Sequence, residues 1–163
     1  MVYFCSAVLS LECLLNAGTP RKLTRSLLSS VPHGVVNVHP GLLPEYRGCS
    51  AVKWALFNDA RIGNTAHFMD EGYDTGPIIA TEWYEFARRS DYPTIRSTVY
   101  RQGCLLAGTV LRLIQSTRMT PADGLLQDES QSRFWNPIPP ESMDAALAKV
   151  ASRSYAYLSL EDQ

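Results

Sequence analysis

Two short segments carry side chains that could act together on an amine. Residues 37–48 read Asn-Val-His-Pro-Gly-Leu-Leu-Pro-Glu-Tyr-Arg-Gly, and residues 70–76 read Asp-Glu-Gly-Tyr-Asp-Thr-Gly. When an amine attacks an acyl carbon, negative charge builds on the carbonyl oxygen, and hydrogen-bond donors aimed at that oxygen stabilise it. The Asn37 amide and a protonated His39 would supply such donors. Asp74 would orient the imidazole and accept the amine proton, so the set predicts amide-type group transfer.

Each segment taken alone also has an ordinary structural interpretation. A histidine beside a proline is more often structural than catalytic, and a run of Asp and Gly is typical of a turn. His67 alternates along a strand and is interpreted as a packed or surface residue. Asp70 and Glu71 do not combine with His39 in a metal-ligand spacing, so no metal site is predicted.

The elements that would position these groups follow from local patterns. Val35–His39 is a β-branched strand that ends at Pro40, and alternation along it places Asn37 and His39 on one face. Gly63–Phe68 is a second strand, which leads into residues 70–76. The other predicted elements are strands at Val2–Cys5 and Ile78–Phe86 and helices at Leu9–Ala17, Pro20–Leu28, Ser50–Asn58, Asp91–Gln115 and Met143–Val150.

Strands that alternate with helices predict an α/β fold with a mostly parallel sheet. In such sheets, ligands bind outside the carboxyl ends of the strands, and we expect both catalytic segments to lie at that edge. The proline-rich residues 119–140 are predicted to form an extended strap. The predicted organisation is a catalytic core over residues 1–116, followed by the strap and a short helix over residues 117–163.

Composition limits the class of protein. The chain has 163 residues, of which 45% are hydrophobic and 19% charged, with a net charge of −1. The absence of a long basic run argues against a nucleic-acid partner. The apolar start has no basic flank and is shorter than the roughly 20 residues of a membrane span. No membrane association and a cytoplasmic location are therefore predicted, and the four cysteines show no C-x-x-C spacing.

Together, the two segments resemble the formyltransferases that use 10-formyltetrahydrofolate. Their signature is Asn-x-His-(Pro or Gly)-x-Leu-Leu-Pro-x-(Tyr or Trp)-Arg-Gly followed by Asp-x-Gly-x-Asp-x-Gly, and the resemblance runs from about Val2 to Leu113. It implies a three-layer, Rossmann-like core with a catalytic triad of Asn37, His39 and Asp74. It also implies a folate pocket with lining residues Leu42, Leu43, Pro44, Arg47, Gly48, Met69, Asp70, Glu71, Gly72 and Tyr73.

Departures from that family shape the remaining expectations. The chain is expected to lack the first βα units of the core, and an exposed sheet edge there would favour self-association into a homo-oligomer. The acceptor is predicted to be a small-molecule amine, either a nucleotide-linked amino sugar or glycinamide ribonucleotide. The alternatives are a formyltetrahydrofolate hydrolase and a catalytically idle or partial folate- or nucleotide-binding remnant. Phe134 and Trp135 either stack on a sugar or base or, as we favour, pin the strap to the core.

Overall fold

The computed structural model describes residues 11–16, 18 and 22–158. Six strands and four α-helices follow one another in the described part of the chain. The strands are β1 (Leu14–Asn16), β2 (Val35–His39), β3 (Arg47–Gly48), β4 (Ile62–Phe68), β5 (Ile78–Tyr84) and β6 (Phe134–Trp135). The helices are α1 (Arg25–Leu28), α2 (Ala51–Phe57), α3 (Tyr92–Thr117) and α4 (Pro140–Ala151).

The main sheet has the strand order β1-β2-β4-β5. Strands β1 and β2 are parallel, whereas β4 runs antiparallel to both β2 and β5. The α/β class therefore holds, but the described part of the sheet is mixed rather than mostly parallel. Residues 69–77 between β4 and β5 explain part of the difference, because a parallel crossover needs about a dozen residues or more.

One face of this sheet packs on the long helix α3. Alternate residues of β4, among them Ala66 and Phe68, form a core with Val36 of β2 and with the buried stripe of α3. That stripe includes Leu106 and Val110, as the helical spacing predicts. Asp91 caps the helix by accepting a hydrogen bond from the Thr94 N–H, and Pro93 is tolerated in the first turn.

The opposite face of the sheet carries polar side chains. The register pairs Asn37 with His67 and His39 with Thr65, so these four side chains lie on the same face. The expectation that both catalytic segments share one carboxyl edge is wrong, because antiparallel strands end at opposite edges. They meet instead over this polar face, which the turn after β4 reaches by folding back.

The predicted strap, residues 119–140, packs on the core. Single 3₁₀ turns lie at Pro121–Asp123 and Glu129–Gln131, and β6 then pairs in parallel with β3. Trp135 is buried, and its ring stacks on Tyr46 with 5.7 Å between centroids and a 7° interplanar angle. Residues of α2, α4 and the start of α3 complete this second core.

Near the start of the chain the predicted elements differ from the structure. The predicted strand Val2–Cys5 lies outside the described residues. The predicted helix Leu9–Ala17 is wrong over its described part, because residues 14–16 form β1 and pair with β2. A short apolar run fits a buried strand or a helix equally well, and here a neighbouring strand was available. Of the predicted helix Pro20–Leu28, the described part contains the single turn α1.

Strand β1 is the terminal strand of the sheet within the described residues. Self-association through a sheet edge stays a prediction. None of the helices in the described part of the chain has the length and apolar character needed to cross a bilayer.

Candidate active site

His39 stands at the end of β2 with its ring enclosed by the loop that follows. Its Nε2 lies 2.6 Å from the backbone carbonyl of Tyr46, and its Nδ1 lies 3.5 Å from Asp74 Oδ1. A carbonyl oxygen only accepts, so Nε2 must carry a proton and donate it there. Nδ1 is the ring nitrogen left to exchange a proton on the side of the carboxylate.

Asp74 reaches His39 from a turn of unusual backbone conformation. Its φ angle is 56°, a left-handed conformation that Asp tolerates better than most residues. The Gly48 N–H donates to Asp74 Oδ2 at 2.9 Å. Gly76 completes the turn, where an added Cβ would collide with the Phe68 carbonyl oxygen. The turn therefore requires glycine at position 76 to return the carboxylate over the sheet.

Asn37 has its amide orientation set by two neighbours. Asn16 of β1 donates from Nδ2 to Asn37 Oδ1 at 3.0 Å. On its other side, Asn37 Nδ2 lies 3.2 Å from His67 Nε2. The oxygen therefore points towards β1 and the NH₂ group towards His67 on β4.

Electrostatics favour a neutral imidazole beside an ionised carboxylate. Burial disfavours the imidazolium and lowers the pKa of His39, although the Asp74 carboxylate and the Tyr46 carbonyl act in the opposite direction. Burial alone would raise the pKa of Asp74, but His67, His39 and the Gly48 N–H outweigh it and hold that pKa below its ordinary value. Burial of the ring thus favours the neutral form of His39 at rest, and the protonated His39 expected from the sequence stays a prediction.

His67 is the residue of this site that the sequence interpretation missed. It is buried, as expected of a packed residue, yet its Nε2 lies 3.7 Å from Asp74 Oδ1. Its Nδ1 lies 2.8 Å from the Phe68 carbonyl, so Nδ1 donates and Nε2 accepts the Asn37 amide. Alternation on β4 placed His67 on one face, but only the antiparallel register with β2 shows that Asn37 and His39 lie on that face too.

A cleft of about 260 Å³ opens beside this group. His39 lines it together with Lys53, Tyr92, Arg96 and Tyr100, whereas Asn37 and Asp74 are not among its lining residues. The Arg96 guanidinium lies over the Tyr100 ring at 4.8 Å from its centroid. Within the described residues, no group of three or more His, Cys, Asp or Glu side chains is arranged to hold a metal ion. The arrangement suits proton transfer and oxyanion stabilisation next to a cationic, aromatic cleft.

A family model described as formyl transferase matches residues 7–103, which include all three catalytic candidates. The chain belongs to the formyl transferase family. This membership confirms the resemblance drawn from the two motifs, and with it the expectation of a formyltransferase-type core.

Relatives of this chain include proteins with different acceptors in their names. The methionyl-tRNA formyltransferase of Trichlorobacter lovleyi is 35% identical over 69% of this chain and 35% of its own length. The phosphoribosylglycinamide formyltransferase of Bacillus subtilis is 35% identical over 55% of this chain and 47% of its own length. The chain thus spans less than half the length of these relatives.

A solved structure shows the same fold. The formyltransferase PseJ from Anoxybacillus kamchatkensis, in complex with UDP-4,6-dideoxy-4-formamido-L-AltNAc and tetrahydrofolate, superposes with a TM-score of 0.70. It is 17% identical, and the match covers 92% of this chain and 84% of that chain. At this identity the likeness concerns the fold, which confirms the Rossmann-like formyl transferase class.

The first predicted folate segment, Leu42–Gly48, contacts both His39 and Asp74 through its backbone. Leu43 is buried, and its N–H donates to Thr65 Oγ1 at 3.1 Å, which ties the loop to the sheet. Leu43 and Pro44 are joined by a cis peptide bond. The Arg47 side chain is buried and turned towards the strap, where it contacts Gln127 and Glu129. Folate contacts by this loop stay a prediction.

The second predicted folate segment, Met69–Tyr73, forms the outer part of the turn. Asp70 Oδ1 accepts from the Gly72 N–H and from Thr75 Oγ1, which holds the turn together from inside. Glu71 is exposed and pairs with Arg25. Tyr73 is half-exposed, and its ring packs against Phe134, so Trp135 pins the strap while Phe134 stays at the surface. Folate binding by this segment likewise stays a prediction.

Proposed function

We propose that the protein transfers a formyl group from 10-formyltetrahydrofolate to the primary amine of a small molecule. The observation that carries this proposal is the meeting of three groups. His39 Nδ1 and Asp74 Oδ1 are 3.5 Å apart, and the Asn37 amide lies on the same face of the sheet. The folate donor is supported by membership of the family and by the tetrahydrofolate in the PseJ complex.

The resting ionisation states assign a role to each group. The amine nitrogen forms a bond to the formyl carbon, and the bond between that carbon and the donor nitrogen breaks. Asn37 donates to the developing oxyanion, and losing such a donor typically costs ~2.7–4 kcal/mol of barrier. Asp74 and the neutral His39 take the proton that the amine loses, and the imidazolium so formed is a second donor. The proton then passes to the departing folate nitrogen, which balances the reaction.

The cleft beside His39 supports an anionic acceptor. Lys53 and Arg96 line it, and within residues 22–158 neither side chain is paired with a carboxylate in a salt bridge. Two tyrosines, Tyr92 and Tyr100, add flat surfaces that suit a sugar or base. We therefore favour a nucleotide-linked amino sugar as the acceptor, with glycinamide ribonucleotide next.

A second candidate acceptor is methionyl-tRNA. The observation in its favour is the sequence similarity to proteins named methionyl-tRNA formyltransferase, of which one from Anaeromyxobacter dehalogenans is 33% identical over 87% of this chain. The net charge of −1 argues against a strongly phosphate-binding surface, since neutralised phosphates account for most of the affinity for nucleic acids.

Turnover with defined acceptors tests the proposal. Purified protein is mixed with 10-formyltetrahydrofolate and, separately, with a nucleotide-linked amino sugar, glycinamide ribonucleotide, methionyl-tRNA or buffer. Tetrahydrofolate is followed by absorbance and the formylated product by mass spectrometry. Amine-dependent formation of both products supports the transferase, and formate release without an amine would indicate the hydrolase. Folded protein that binds folate without turnover, or does neither, would leave the remnant interpretation.

A further inference from the structure

We propose that Gln127, on the strap, is a positioning residue for the catalytic Asp74. Its Nε2 donates to the backbone carbonyls of Asp74, at 2.9 Å, and of Gly76, at 2.8 Å. Both carbonyls lie on the C-terminal side of the Asp74 Cα, so Gln127 holds the segment that follows the carboxylate in the turn. Gln127 is 53 residues away from Asp74 in the chain, so this support comes from outside the turn and outside the matched family segment.

The surroundings of Gln127 leave a single orientation for its amide. Its Oε1 accepts from Arg47 Nε at 3.0 Å and from Arg47 Nη2 at 2.8 Å. An arginine only donates and a backbone carbonyl only accepts, so position 127 needs an acceptor on one side and a two-proton donor on the other. Among side chains of this length, only a neutral amide provides both.

The Arg47 side chain that contacts Gln127 is itself restrained by Glu129. Its side chain is buried, and Nη1 and Nη2 also donate to the two carboxylate oxygens of Glu129, at 3.0 and 2.7 Å. A bidentate arginine–carboxylate pair restrains both position and angle. The chain of contacts therefore runs from Glu129 through Arg47 and Gln127 to the carbonyl of Asp74.

The consequence concerns the distance between the proton-transfer groups. Asp74 adopts a left-handed backbone, and its Oδ1 already lies 3.5 Å from His39 Nδ1, slightly beyond hydrogen-bond length. A further shift of about 1 Å in a catalytic group can cost about 100-fold in rate. This inference rests on the proposed function, since it assigns Gln127 a part in that reaction.

Two substitutions at Gln127 and one matched control test the inference. Gln127→Glu keeps the length and the contact with Arg47 but turns a carboxylate oxygen towards two carbonyls. Gln127→Met keeps the length and removes every hydrogen bond. Gln131→Glu makes the same chemical change on an exposed part of the strap. We expect kcat to fall about 10- to 100-fold in both Gln127 variants, with KM for the amine within about twofold of wild type, and no change in the control.

The pH dependence separates positioning from general damage. Arg47 is the charged side chain in contact with position 127, and Glu129 pairs with Arg47 on its other side, whereas Asp74 contacts Gln127 through its backbone carbonyl. A protonated glutamic acid can donate to one of the two carbonyls. Its ordinary pKa is about 4.3 and Arg47 favours the carboxylate, so the kcat of Gln127→Glu relative to wild type should rise only as the pH falls towards about 4.5. The ratio for Gln127→Met should stay flat. Equal ratios at every pH for both variants would contradict the inference, as would wild-type kcat in either variant.

Hydrogen exchange tests the positioning role of Gln127 without relying on turnover, so its result does not depend on the proposed function. Hydrogen exchange of the residue 70–76 amides is measured in the wild type, both Gln127 variants and the control. Faster exchange in the Gln127 variants alone, with an unchanged thermal midpoint, supports the positioning role even if no acceptor is turned over. Unchanged exchange in both variants would overturn it. A variant that does not fold would show a global rather than a local role and would equally overturn it.

Discussion

The two halves of the site are built by different physical means. Asn37 and His39 belong to a strand in the middle of the sheet, where the ladder with β4 fixes both residues and the ladder with β1 also fixes Asn37. Asp74 belongs to a turn whose backbone carbonyl is held by a side chain of the strap. The comparison separates two kinds of support among the three candidate residues. Sheet register positions Asn37 and His39, which form the strand half. A side chain from a distant part of the chain supports Asp74, which forms the turn half.

Removing either partner of the proton-transfer pair should have the largest effect. For Asp74→Asn and His39→Gln we expect kcat to fall about 10²- to 10⁴-fold, the usual contribution of positioned proton transfer. The loss should be similar in both variants because the two groups act as one unit. Steady-state kinetics on folded protein checks this. Full activity in either variant would contradict the proposed mechanism. A much larger loss of kcat in one variant would show that His39 and Asp74 do not act as one unit.

Loss of the Trp135 contacts that attach the strap to the core should disturb the Asp74 turn but not the positions of Asn37 and His39. Trp135 is buried against Tyr46, and its Nε1 donates to the Glu45 carbonyl at 2.8 Å. Trp135→Ala should lower the free energy of unfolding by about 3–5 kcal/mol, as is typical of buried aromatic residues. Phe134→Ala, at a 53% exposed position, should change it by only about 0.5 kcal/mol.

Urea unfolding of both variants measures the difference. Residual kcat of folded Trp135→Ala should follow that of the Gln127 variants, because both lose the support of the turn. If Trp135→Ala lowered stability but left kcat intact, the strap would stabilise the fold without governing the catalytic turn.

Asn37→Ala tests the strand half by itself. The variant removes the donor to the developing oxyanion, and we expect kcat to fall about 10²- to 10³-fold. Exchange of the residue 70–76 amides should stay as in wild type, because Asn37 contacts Asn16 and His67 rather than the turn. A single-turnover experiment monitors the chemical step. Loosening of the turn in this variant would show that the two halves are coupled.

Acid should affect the two halves at different pH. The pKa of His39 is lowered from an ordinary value of 6.5, so the unfolded chain binds more protons and stability falls as the pH drops below about 6.5. One proton accounts for up to about 1.4 kcal/mol per pH unit. The pKa of Asp74 is lowered from 3.8, so its contribution is present above that pH and is lost only in stronger acid.

The unfolding free energy of wild type and His39→Gln, measured from pH 8 to 5, isolates the His39 contribution. The difference between the two proteins should change with pH below about 6.5, and the wild type should show the steeper decline. Parallel curves would mean that His39 titrates alike in the folded and unfolded chains.

Sequence reasoning recovered the strand half well and the turn half in part. Strand Val35–His39 followed from β-branched residues, and alternation correctly placed Asn37 and His39 on one face. Asp74 was identified through its motif, but its approach to His39 depends on the antiparallel register of β4, which no local pattern encodes. Gln127 carried no signal, because a glutamine in a proline-rich segment acquires a role only when a distant carbonyl is brought to it.

The parallel pairing of Arg47–Gly48 with Phe134–Trp135 bears on how this protein could be trimmed for experiments. A version cut after Thr117 would retain all three reactive side chains and the whole matched family segment. It would nevertheless lose Gln127 and its contacts with the Asp74 turn, so we expect it to have a lower kcat than the longer chain. A minimal unit should therefore extend at least through Tyr155, whose hydroxyl donates to the carbonyl of Ala60.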